Sequence, residues 1–183
     1  MANEAHRFTR RRVLGWAALF GALAAAGTLL TKARTSGYPP RPEARGGFRP
    51  WQYALVEAAS RRIALADEPG VPTPTEVGVA DFIERYVGEM PVHLRSDLFQ
   101  LFAYVEHIAP LRSGFVRRFT ELAPAEQDKV LAQLESADET LLRGGFAGLK
   151  ALVFMGYYRD PRTWKIMAYD GPTKNRPASG WSP

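Results

Sequence analysis

Three histidines are present in this 183-residue chain, and none stands where a metal site or proton relay needs it. His6 lies near the N-terminus, and His93 stands alone after Pro91-Val92. His107 follows Glu106, but adjacent helical residues point about 100° apart, so the two cannot share a ligand. There is no His-x-x-x-His or Glu-x-x-His pair of the kind a di-metal helical bundle uses. With no cysteine, the chain has no disulfide, thiolate metal site, cysteine-ligated cluster or cysteine nucleophile. It also lacks the Cys-x-x-Cys-His attachment of a c-type haem. Ser60, Ser96, Ser113 and Ser136 have no histidine and acid in a recognisable triad signature. Gly144-Gly145-Phe146-Ala147-Gly148 is glycine-rich, but it sits in an apolar helical context with no phosphate-loop lysine–serine pair. Asp138-Glu139 reads as helix N-terminal charge, and Asp81 with Arg85 as an i,i+4 pair. The sequence therefore offers no catalytic, cofactor-binding or metal-binding constellation.

The net charge of +5 first points to nucleic acid or a membrane surface. Its location argues otherwise. Residues 1–34 hold six basic side chains against Glu4 alone, and residues 35–183 hold eighteen of each sign. A nucleic-acid partner is not expected, and the Arg117-Arg118 doublet reads as a solvated or partner-facing edge. After the basic cluster, Val13–Leu30 runs eighteen residues without a charge, the order of an export signal. Thr9-Arg10-Arg11-Arg12-Val13-Leu14 resembles the twin-arginine translocation motif, with Arg10, Arg11, Val13 and Leu14 as its defining positions. That resemblance implies a receptor-read address for a folded protein, delivered to the periplasm by the twin-arginine translocase. Ala22-Leu23-Ala24 and Ala24-Ala25-Ala26 fit a small-x-small cleavage site. Left uncut, Val13–Leu30 makes about 27 Å of helix, nearly a membrane span. A cleaved signal and a retained anchor both stay open.

Residues 35–49 form a Pro/Gly linker containing Tyr38-Pro39-Pro40-Arg41-Pro42 and Gly46-Gly47. The remainder predicts a compact all-α bundle of about five helices plus a short C-terminal one over residues 50–172, followed by a polar tail, 173–183. Pro50 opens the first helix, with Tyr53, Val56, Ala59, Ile63 and Ala66 inward and Arg61 and Arg62 solvated. Thr73-Pro74-Thr75-Glu76 is a capping box with proline at N1, predicting a helix that runs on with Val79, Phe82, Ile83, Tyr86 and Val87 on one face and stops before Pro91. Val92–Ala109 carries the stripe Leu94, Leu98, Leu101, Phe102, Val105 and Ile108. Pro124 starts a fourth helix, with Val130, Leu131 and Leu134 inward. A fifth runs from about Asp138 to Tyr157. Gly144 and Gly148 share a face of it and cost roughly 1 kcal/mol each against alanine. They mark either tight packing within the domain or a partner surface. Asp160-Pro161 starts the last short helix. No alternating strand pattern is present.

Phe154, Tyr157, Tyr158, Trp164 and Tyr169 crowd into sixteen residues. Tyr, Trp and Arg are enriched at interface hot spots, which makes Gly156, Tyr157, Tyr158, Arg159, Trp164 and Tyr169 a candidate partner interface. A core made by folding the last helix onto the fifth is equally open.

This segment, LKALVFMGYYRDPRTWKIMAYDGP at 149–172, resembles the C-terminal signature of the gluconate 2-dehydrogenase subunit 3 family. Gly156-Tyr157-Tyr158, Asp160-Pro161, Trp164 and Tyr169-Asp170-Gly171-Pro172 carry the likeness. Position 168 is alanine where the family commonly has glycine. The resemblance implies a small, non-catalytic accessory subunit that holds no cofactor itself. Its partner would be a large FAD-containing dehydrogenase of the glucose–methanol–choline class, often with a multihaem cytochrome c. The subunit would carry the export signal, escort the folded flavoprotein and stay bound in a membrane-associated complex. The alternative is a free-standing periplasmic helical binding module.

Overall fold

The computed structural model describes residues 37–39, 47–64, 69–169 and 171. Arg10, Arg11, Val13 and Leu14 lie outside them, as does the tail. The chain divides into two units, Met1–Tyr38 and Pro39–Pro183, and every element below belongs to the second. Among the described residues all regular structure is helical, as the sequence predicts.

Helix α1, Pro50–Ile63, starts where proline needs no amide partner, and the Arg49 N–H donates to the Gln52 side chain at 2.7 Å. It buries Trp51, Leu55, Val56, Ala58 and Ala59. Arg61 stays solvated, but Arg62 does not. Its guanidinium donates through Nε and Nη2 to both oxygens of Asp128, at 2.7 and 2.6 Å, tying α1 to a later helix.

Helix α2, Pro74–Val77, has the capping box read from the sequence. The Thr73 N–H donates to Glu76 Oε2 at 2.6 Å and the Glu76 N–H to Thr73 Oγ1 at 3.3 Å. The bonds that the Thr73 N–H and hydroxyl donate to the Glu76 carboxyl hold it below its ordinary value. The helix does not run on to Val87. Gly78 adopts φ 71°, ψ 43°, a left-handed conformation that ends α2 after one turn. Helix α3, Val79–Gly88, starts afresh and buries Val79, Ala80, Ile83, Glu84 and Val87.

Helix α4, Val92–His107, departs further from expectation. Of its predicted stripe only Phe102 and Val105 are buried, whereas Leu94 is 49% and Ile108 42% exposed. The helix breaks at Ile108 because Pro110 lacks an amide proton and its ring crowds the carbonyl four residues back. A single turn, α5 (Ala109–Arg112), and a 3₁₀ turn, Phe119–Glu121, lead into α6, Pro124–Glu135. Helix α6 buries Val130, Leu131 and Leu134 as predicted. Helix α7, Thr140–Tyr158, is the longest among the described residues and packs on α3, α6, α4 and α1. The expected short last helix is a second 3₁₀ segment, Pro161–Met167, which folds back on the end of α7.

Candidate partner interface

Five of the six residues singled out as an interface cluster lie at the C-terminal end of α7 and in the 3₁₀ segment after it. Tyr169 follows just beyond. The structure divides them. Gly156 and Tyr157 are buried inside this chain. A Cβ on Gly156 would meet Phe82 Cδ1 at 2.9 Å and Val79 Cγ1 at 3.1 Å, so this glycine lets α7 close on α3. The Tyr157 hydroxyl donates to the Pro72 carbonyl at 2.9 Å, and burial pushes its pKa up. These two positions therefore build the domain's own seam.

The other four face outward to different degrees. Arg159 is pinned at its guanidinium: Nη2 donates to the Val77 carbonyl at 3.0 Å, and the guanidinium lies 5.2 Å from the Phe82 ring. It caps the orphan carbonyl at the end of α2. Trp164 Nε1 donates to the Tyr158 carbonyl at 2.7 Å, and its ring meets Tyr169 edge-on at 5.1 Å. Tyr158 stacks on Phe154 at 5.9 Å. The Asp160 carboxylate organises the turn between α7 and the 3₁₀ segment. It accepts from the Arg162 N–H at 2.9 Å and pairs with the Arg162 guanidinium at 2.6 Å, which lowers its pKa from 3.8 to about 2. Ala168 closes the segment at φ 49°, ψ 37°, left-handed. The alanine noted in the sequence thus occupies a backbone conformation suited to glycine.

A larger surface runs along α7 from this cluster. Leu141, Gly144, Gly148, Ala151 and Met155 recur at helical spacing, with Ala147 and Phe154 beside them, and all seven are exposed. Leu141 is 86% and Met155 46% exposed, and none of the seven is charged. A Cβ on Gly144 or Gly148 would meet nothing within 4 Å. Tight packing inside the domain therefore does not account for these glycines. Of the other two, Gly145 approaches Leu101 and Gly156 approaches α3. The charged α7 side chains turn elsewhere: Lys150 pairs with Glu135, and Arg143 donates to the Ala137 carbonyl.

The remaining sequence candidates are engaged structurally. Arg117 pairs with Glu126 and Arg118 with Glu121. Asp81 accepts from the Tyr53 hydroxyl at 3.2 Å, while Arg85 reaches the Asp81 backbone carbonyl. Glu139 accepts from Arg112 at 2.9 Å. His107 packs 5.6 Å from the Trp51 ring, and His93 is exposed. A half-open cavity of about 260 Å³ between α5, α6 and the start of α7 is lined by Tyr104, Arg112, Ser113, Gln133 and Glu139. Its polar groups bond to one another: Arg112 to Tyr104 and Glu139, Ser113 to Gln133. Among the described residues, no three His, Asp or Glu side chains gather to hold a metal, and no helix is long and apolar enough to cross a membrane.

The family model for gluconate 2-dehydrogenase subunit 3 matches residues 50–171, well over half of the chain. The chain belongs to the gluconate 2-dehydrogenase subunit 3 family. No curated protein and no solved structure matches it. Subunit 3 is by its description one component of a dehydrogenase, which implies association with other subunits. The match spans α1 to the loop after the second 3₁₀ segment, so it includes both the α7 face and the aromatic cluster. The sequence alone missed Leu141, Ala151 and Met155 as surface residues. Their apolar character reads as core until the packing of α7 shows which side is covered.

Proposed function

We propose that this subunit 3 is a non-catalytic accessory chain that docks on a folded FAD-containing dehydrogenase of the glucose–methanol–choline class. It escorts that flavoprotein through the twin-arginine translocase and stays bound to it in a periplasmic, membrane-associated complex, with a cytochrome c subunit as a further member. The observation that carries docking is the uncharged exposed face of α7. Contiguous exposed apolar surface on a soluble domain marks an interaction site. Two glycines that cost helix stability, with open space where a Cβ would stand, let a partner backbone come close. Half-buried Trp164 and exposed Tyr169, next to the end of that face, are anchors of the type found at interface hot spots, and Met167 is exposed beside them. Escort is supported by the leader, whose Arg10-Arg11 pair and apolar run fit export of folded cargo.

Purification of the tagged full-length chain from its native host tests both parts. Stoichiometric recovery of an FAD protein is expected. Ala147→Glu, on the exposed face, should cut that recovery at least about tenfold while leaving the melting temperature unchanged, because it buries a charge only in the complex. Arg10→Lys with Arg11→Lys should leave both proteins in the cytoplasm. A monomer with no flavoprotein would refute the assignment and favour a free-standing binding module.

A further inference from the structure

The folded domain begins before its first helix. Phe48 is 4% exposed, two residues upstream of Pro50. Its ring meets Phe99 at 5.8 Å and Phe102 at 5.6 Å, both edge-on and both from α4. Its N–H donates to Glu84 Oε1 of α3 at 3.1 Å, and Glu84 is itself 1% exposed. The next N–H, of Arg49, goes to the Gln52 side chain, and position 50 is a proline with none. A buried backbone N–H needs an acceptor, and no helix carbonyl is in register for Phe48. The buried carboxylate on α3 supplies it. The Arg49–Gln52 bond is local and needs no tertiary structure. The Phe48 contacts reach partners 36, 51 and 54 positions away and exist only when α1, α3 and α4 are packed together.

We infer that Phe48 and its Glu84–Phe99–Phe102 socket form a fold-dependent clasp, which pins the leader-bearing end of the chain to the domain only once the domain has folded. In the folded chain the residues upstream of Gly47 start from a fixed point. When the helices come apart, that point is lost. The use of the clasp rests on the export assignment above, but its existence does not.

Amide hydrogen exchange on the full-length chain tests the clasp. The residue-48 amide should exchange at least about 100-fold more slowly than that of Gly47. Phe48→Ala should remove most of that protection while amides at 149–153 in α7 keep theirs, and Phe48→Leu should restore part of it. A residue-48 amide that exchanges as fast as that of Gly47, or Phe48→Ala protected as wild type, overturns the inference. Should Phe48→Ala fail to fold, seen as lost protection in α7, Phe48→Leu against wild type decides: equal protection at residue 48 overturns the clasp. Normal export of the Arg10→Lys, Arg11→Lys variant would sink the export assignment instead, and the exchange result would stand.

Discussion

Gly156→Ala and Gly144→Ala are the same substitution in the same helix, yet they should move stability in opposite directions. In a helix interior the change is worth about 1 kcal/mol in favour of alanine. At Gly144 the new methyl meets nothing within 4 Å, so that gain should appear almost whole. At Gly156 the methyl would lie 2.9 Å from Phe82 Cδ1, 3.1 Å from Val79 Cγ1 and 3.5 Å from the Val79 carbonyl. Optimal carbon–carbon separation is roughly 3.5–4.0 Å, so two of the three contacts are too short by about half an ångström or more. The neighbours have little freedom to yield. Val79 is fully buried at the first position of α3, directly after the left-handed Gly78. Phe82 is held between the Tyr86 ring at 5.9 Å and the Arg159 guanidinium. Overpacking of this kind costs about 1–3 kcal/mol. With both side chains constrained we take the upper half of that range. Subtracting the propensity gain leaves a net loss of about 1–2 kcal/mol. In a domain of this size that corresponds to a fall in melting temperature of roughly 3–8 °C. Urea unfolding followed by far-ultraviolet circular dichroism should therefore show Gly144→Ala more stable than wild type and Gly156→Ala less stable, with unchanged slopes. Two shifts of the same sign would refute the claim that Gly156 belongs to the α3–α7 seam and Gly144 to an open face.

Ala168→Gly should stabilise the domain by about 0.5–1 kcal/mol, measured in the same way. The left-handed conformation at φ 49° strains an alanine by roughly 1–2 kcal/mol, and glycine gives part of that back through unfolded-state entropy. A loss of stability would place the strain elsewhere. The Asp160 carboxyl, lowered to about 2, binds its proton less readily in the folded than in the unfolded chain. Its contribution is therefore present above about pH 4 and drains away as pH falls toward 2. Asp160→Asn keeps the cap but not the titration, so its stability should depend less on pH in that window. Superimposable pH profiles for the two proteins would contradict this.

Much of the architecture is written locally. Thr73-Pro74-Thr75-Glu76 closes the capping box seen in the structure, and Pro50, Pro124 and Asp160-Pro161 start segments where the sequence predicts them. These signals act within one turn of backbone and need no distant partner. The errors came where a distant partner decides. A run from Val79 to Val87 continues the periodicity of Pro74–Val77, so the break at Gly78 is invisible until α3 must present Val79 and Phe82 to Gly156. Leu94 and Phe102 are both apolar on α4, but only Phe102 is buried, with its ring against Phe48.

Sequence alone established the basic N-terminal stretch, the charge-balanced remainder, the all-helical class and the proline-marked helix starts, because each is a property of composition or of neighbours within four residues. Tertiary structure decided the rest. It set Gly156 apart from Gly144, turned Tyr157 inward and Trp164 partly outward, and left the apolar side of α7 uncovered. It also buried Glu84 and Glu106, two carboxylates that nothing in the local pattern distinguishes from solvated ones. Glu84 meets the Phe48 N–H, and Glu106 meets Thr120 through its N–H and hydroxyl. A buried carboxylate needs donors of this kind, and here they come from chain 36 and 14 residues away, beyond the reach of any helical repeat.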